Sequence, residues 1–356
     1  MKHANSMAPF LPYAHIPIDE KSFIFPITGL LLTTNKKLSI GNIDFVDRVY
    51  LKSRLIDKEL AKDINFINLF SRVDTFAVVD LSKFGDYKNL CKDGDNSLAL
   101  QLLKQTIGAM YISIYNKKPT PDNERRIIIS DKGIHEVDEG LNSYMAIWNG
   151  KYHMCPNKVS ELLIAKEGDI DVKNVQPIIN ILNKNIKDRS EFENKICKAL
   201  ELVYSILIEA YTSERVLKLT TLLNFIFNQS ENHNFDSNFV GRKLKIIFNV
   251  IDKKEFLEEI PEYICPECLK TKDISPIMVD IYSRVRNNFV HGKIDIFTEL
   301  AVINLKDYIP LKLICFELLK SITTSKELIN CKDTKEFDDY IESKEAERIK
   351  MYKSKK

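Results

Sequence analysis

Hydrophobic positions in this chain follow two different periods, and the change falls near residue 157. Before it, apolar residues come in short runs: SFIFPITGLLL, LSIGNIDFV, TFAVVDL, RRIIISD and SYMAIWNGKYHM. Such runs, rich in Ile, Val, Phe and Tyr and bounded by Gly, Asn, Asp or Pro, predict strands. Asn149-Gly150, between SYMAIW and KYHM, is the strongest hairpin signal, because both residue types tolerate the positive φ of a two-residue turn. Among these runs, residues 96–115 carry apolar spacings of three and four and predict one helix, with weaker helical character at LIDKELAKDIN.

From about residue 158 the spacing becomes helical throughout. Residues 190–211 open with Ser190 and carry Glu193 three positions later, a pattern in which each side chain satisfies an amide near the other. Further helices are predicted at SERVLKLTTLLNFIFN, where Glu214 lies in the first turn, and at 238–251, 276–292 and 296–322. Pro310 lacks an amide proton and should kink or interrupt the last of these. Amphipathic helices joined by short loops predict an antiparallel bundle. The terminal EFDDYIESKEAERIKMYKSKK, dense in Glu and Lys, reads as a solvated or frayed helix. The boundary between the halves falls in polar sequence such as KEGDIDVKN. The predicted fold class is therefore α+β, a mixed β-rich module followed by an all-α bundle.

Composition narrows the function classes. The 52 Lys and Arg against 50 Asp and Glu leave a net charge of +2, so no global basic field announces nucleic acid and such a partner needs a local patch. Seven cysteines, with no secretion signal legible, fit a reducing interior, and a cytoplasmic location is expected. Charge interrupts VYSILIEAY and LKLICFELL too soon for a membrane span. No GxxxxGK[ST] loop and no GxGxxG after a strand supports nucleotide chemistry, and none of the six histidines adjoins a nucleophile elbow.

The segment PIMVDIYSRVRNNFVHG, 276–292, concentrates the remaining candidates. At about 100° per residue, Met278, Ile281, Tyr282, Val285 and Phe289 form one apolar stripe, with Asp280, Arg284, Asn287 and His291 opposite. Gly292 is placed to stop the helix, so His291 sits where the macrodipole favours its protonated form. A terminal histidine on a polar face is also what an ordinary helix cap looks like.

Arg286-Asn287-Asn288-Phe289-Val290-His291 resembles the R-x4-6-H motif of the HEPN superfamily of helical nucleases. The longer IYSRVRNNFVHG resembles the motif helix of the ApeA-like HEPN group, and KALELVYSILIEAY, with Ala199 and Glu201, resembles its early bundle helix. The resemblance covers roughly 187–325. It implies a metal-independent endoribonuclease acting as a homodimer, a toxin or antiviral defence effector whose substrate is RNA. It divides the chain into a sensing or regulatory module at 1–157, a connecting segment at 158–186, a HEPN-like bundle at 187–330 and a charged helix or tail at 331–356.

The residue types suit that chemistry. Histidine titrates near neutrality and can move the 2′-hydroxyl proton, and arginine forks onto phosphate oxygens. The resemblance assigns catalysis to Arg286, Asn287 and His291, whereas helical geometry places Arg284, not Arg286, beneath His291. Arg284, Asn288, Lys293 and Glu201 are expected to contact substrate or support the site, Glu201 by pairing with the arginine across the bundle or simply as an exposed acid. The alternative is a non-catalytic HEPN-like module for dimerisation or nucleic-acid binding. A protein trigger or inhibitor acting on the N-terminal module is a further expected partner; no membrane is.

Cys265 and Cys268, in YICPECLK, form half of a zinc-ribbon pattern. A closed site needs four ligands and no second CxxC exists, leaving only His153 and Cys155 as remote partners. The reading is a loop with two ordinary thiols, structural zinc being the alternative, and no cofactor is required. Basic stretches at SERVLKLTT, VGRKLKII and KMYKSKK read individually as solvated faces, though together with Arg284, Arg286 and Lys293 they could form a patch for RNA.

Overall fold

A computed structural model describes residues 22–33, 37–54, 74–85, 95–114, 127–129, 143–148, 151–156, 165–209, 212–227, 237–250 and 305–354. It is α+β, with an antiparallel sheet in its N-terminal part and helices elsewhere. The strands are β1 (Ser22–Thr28), β2 (Leu30–Leu31), β3 (Lys37–Ile40), β4 (Ile43–Asp47), β5 (Thr75–Asp80) and β6 (Ile128–Ile129). The sheet has the order β3-β4-β5-β1-β6, every neighbour antiparallel. Gly41, at φ 60°, starts the two-residue turn between β3 and β4. On either side of Asn149-Gly150, which lie outside the described residues, β7 (Ser143–Trp148) pairs antiparallel with β8 (Lys151–Pro156) from Trp148 opposite Lys151 outward, as that hairpin signal predicts.

Helix α1 (Arg48–Arg54) lies against β4 and β5. Helix α2 (Asp95–Ile114), matching the expected 96–115, packs between β5 and the helical half of the chain. Its position explains its composition: Leu98, Ala99, Leu102, Leu103, Ile107, Met110 and Tyr111 are buried, and so are Gln105, Thr106 and Ser113. Covered on two sides, the helix keeps a narrow polar strip at Ser97, Gln101 and Lys104. The hydroxyls of Thr106 and Ser113 donate to the carbonyls of Leu102 and Met110, at 3.0 and 2.7 Å, within the helix itself.

The polar stretch expected to separate the halves is tied into both. β9 (Ala165–Lys166) pairs in parallel with β2, and the Ala165 amide donates to the Gly29 carbonyl at 2.8 Å. Helix α3 (Gln176–Asn183) buries Ile178, Ile179, Ile181 and Leu182 in the same core. Arg189, itself buried, donates to the Leu182 carbonyl at 3.0 Å, satisfying one of the last acceptors of α3.

Helix α4 (Glu191–Leu207) begins as its sequence predicts: the Glu193 amide donates to Ser190 Oγ at 3.1 Å, and the Ser190 amide to Glu193 Oε2 at 3.0 Å. Helix α5 (Thr212–Phe227) runs back along it, because Lys218 reaches the Ser205 carbonyl while Lys195 lies over the Phe225 ring. Helices α6 (Ser237–Val250) and α7 (Leu305–Thr324) follow. Pro310 was expected to kink or interrupt α7; the helix continues through it, at the cost of the one ladder bond that its missing amide would make. Every residue from Tyr308 to Leu319 is buried, which makes α7 the central rod of the helical half. A short helix, α8 (Lys326–Ile329), leads to α9 (Thr334–Ser354). The first turns of α9 are docked rather than solvated, with Phe337 stacked on Phe192 at 4.9 Å between ring centroids. One hydrophobic cluster runs from β1 to α9 without a break.

Candidate functional site

The segment carrying Arg284, Arg286, Asn287, Asn288, His291 and Lys293 lies outside the described residues, as do Cys265, Cys268 and LIDKELAKDIN. Along the chain the segment falls between α6 and α7. Of the predicted site residues only Glu201 is placed. It sits on α4 facing α2, where Glu201 Oε2 accepts from Gln101 Nε2 at 3.1 Å and pairs with Lys198 at 2.9 Å. The acid thus joins the helical half to the N-terminal module. His153 and Cys155 lie on β8, in register with Ala146 and Tyr144.

Two cations of the basic stretches are inside the protein rather than on solvated faces. Arg215, 5% exposed, lies with its guanidinium 5.5 Å from the Tyr308 ring centroid and donates through Nε to the Glu209 carbonyl at 2.6 Å. Lys312, also buried, stands over the same Tyr308 ring at 5.6 Å and over Phe316 at 5.7 Å. A ring face attracts cations most when water is excluded, so α5 and α7 are joined here by charge against aromatic as well as by apolar burial. Glu317 adds a buried acid to α7. The sequence alone missed this group, because Lys and Glu within an apolar helix look like its solvent edge.

The other buried cation of the basic stretches is Lys243 on α6, whose amine pairs with Asp338 on α9 and lies 5.9 Å from the Phe227 ring. Beside it, Lys195 on α4 donates to Thr334 Oγ1 at 3.2 Å, with its amine 5.7 Å from the Phe225 ring. Burial lowers the Lys195 pKa to about 8; Asp338 and Glu191 oppose the shift and Lys243 adds to it. Farther along, Arg242 pairs with Glu345 at 3.2 Å. Arg242, Lys243 and Lys218 therefore each meet an acid of this chain, Lys218 through Glu209 at 2.6 Å.

In the sheet, Asp44 is buried among Ser39, Lys37 and Lys83 at 2.6, 3.1 and 3.2 Å. Burial by itself would raise its pKa, but the Ser39 hydrogen bond and the two lysines outweigh that and hold it below the ordinary value. Cys197, Cys315 and Cys331 are free thiols. Burial pushes Cys197 up to about 11, against the opposing Arg189, and raises Cys315 as well, so neither is poised as a nucleophile. Among the described residues no group of three or more His, Cys, Asp or Glu side chains is placed to hold a metal ion, and no helix is long and apolar enough to cross a membrane.

Comparison with protein-family models, with curated proteins and with solved structures finds no match to this chain.

Proposed function

We propose that this protein is a metal-independent endoribonuclease of the HEPN type, acting as a homodimer in a toxin or antiviral defence role. The observation that carries the reading is the sequence Arg286-Asn287-x-x-x-His291-Gly292, in a helical pattern that falls between two helices of an all-α region. His291 removes the proton from a ribose 2′-hydroxyl, whose oxygen attacks the adjacent phosphorus and displaces the 5′-oxygen of the next nucleotide. Arg286 stabilises the charge that accumulates on the phosphorane oxygens, and Asn287 orients the imidazole or holds the phosphate. Arg284 and Lys293 bind the strand. The packed N-terminal module, joined to α4 through Gln101 and Glu201, restrains or triggers the activity.

The test is cleavage of RNA by the purified full chain with a chelator present. Products ending in a 2′,3′-cyclic phosphate, lost in His291→Ala, are expected. Cleavage that persists in His291→Ala refutes the site. If the wild-type protein never cleaves RNA and His291→Ala loses dimerisation, the chain is a non-catalytic binding module.

A further inference from the structure

We propose that Lys195 is an acylation site: its ε-amine takes an acyl group from a small acyl phosphate, and the resulting amide loosens the C-terminal helix α9 from the rest of the protein. Four helices meet at this amine. α4 supplies Lys195 itself and Glu191, α5 the Phe225 ring, α6 the Lys243 amine, and α9 the Thr334 hydroxyl and the Asp338 carboxylate. Two amines thus share one carboxylate. Lys243 is almost fully buried and in direct contact with Asp338, so among the described residues the hydrogen bond of Lys195 goes to the neutral hydroxyl of Thr334. Lys195 is partly exposed, which leaves it open to a small donor that could not reach Lys243.

The reaction requires the neutral amine. Its lone pair attacks the acyl carbon, the bond from that carbon to the phosphate oxygen breaks, phosphate leaves with the electron pair, and the ammonium proton is lost to water. With its pKa near 8, Lys195 is about half neutral at pH 8, about a hundredfold more than an ordinary lysine. Lower basicity weakens the nucleophile in part, as it does for thiols, leaving a net advantage of about tenfold. The amide that forms retains one N–H and places extra atoms against Thr334, the first residue of α9, and this crowding outweighs the relief of losing a partly buried charge. The next turn carries Phe337, whose stacking on Phe192 fixes the helix.

The full chain is incubated with acetyl phosphate across pH 7 to 10, and acetylation of each lysine is followed by peptide mass spectrometry. Lys195 should react about tenfold faster than Lys198, which is more exposed and lies one turn away. Its rate should rise to a plateau above pH 8. Lys243→Met removes the competing cation and frees Asp338 for Lys195, so it should slow that reaction while Lys198 is unaffected. After Lys195 is acetylated, amide hydrogens of 337–345 should exchange faster, whereas Lys195→Arg should keep their protection and resist modification. Equal rates at Lys195 and Lys198, or a rate still climbing at pH 10, overturn the acylation site. Unchanged exchange in fully acetylated protein overturns the loosening of α9.

Discussion

Gly108 of α2 and Leu200 of α4 touch through their backbones: a Cβ on Gly108 would lie 2.1 Å from the Leu200 carbonyl oxygen and 2.8 Å from its carbonyl carbon. Both atoms belong to a regular helix, so neither can turn aside as a side-chain tip could. Gly108→Ala must separate the two helices that join the N-terminal sheet to the helical half. The cost is expected at the upper end of overpacking, about 3 kcal/mol, read as a lower urea midpoint.

Tyr204 makes a second connection across the same seam, its hydroxyl accepting from the Ile129 amide at 3.1 Å. Tyr204→Phe leaves a buried amide without its acceptor and should cost about 1–3 kcal/mol. Faster hydrogen exchange at Ile129 would locate the loss. Tyr111, which donates to the Ile127 carbonyl at 2.9 Å and accepts its amide, would still hold the start of β6.

The Lys243–Asp338 pair gives an asymmetric prediction. Asp338→Ala takes the carboxylate from a buried ammonium and should destabilise by about 3–5 kcal/mol, whereas Lys243→Met, leaving Asp338 partly exposed, should cost far less. Thermal unfolding of the two variants checks the order.

Lys195 makes stability depend on pH in the alkaline range. Its folded pKa, about 8, is below the ordinary 10.5, so between those values the unfolded chain holds a proton that the folded protein has released. Stability should therefore rise with pH over that window, the penalty being full below pH 8 and lost as pH passes 10.5. Lys195→Met should flatten that slope in urea titrations at successive pH values.

If the proposed ribonuclease chemistry holds, Arg284 and Arg286 separate in their kinetics. Arg286→Ala should lower kcat by about a hundredfold or more, as removal of a transition-state donor does, while Arg284→Ala should chiefly raise KM. Steady-state rates on a defined RNA distinguish them, and the reverse pattern would transfer the catalytic role to Arg284.

By itself the sequence determined the local structure. The change of hydrophobic period, the Ser190–Glu193 cap, the Asn149-Gly150 hairpin and the extent of α2, α5 and α6 all depend on neighbours a few residues apart, and all were legible there. So was the R-x4-H string, a matter of residue types in order. Only the tertiary structure decided which polar residues are inside. Lys243 becomes a buried ion-pair partner because Asp338 arrives from 95 positions away, and Arg215 is buried because Tyr308 meets it from a different helix, with Lys312 over the same ring one turn along α7. Glu201, read as a neighbour of the motif arginine or an exposed acid, gains a partner that no local pattern announces, Gln101 of α2. Burial and charge pairing are properties of surfaces brought together from distant segments, whereas periodicity and capping are complete within a few turns of chain.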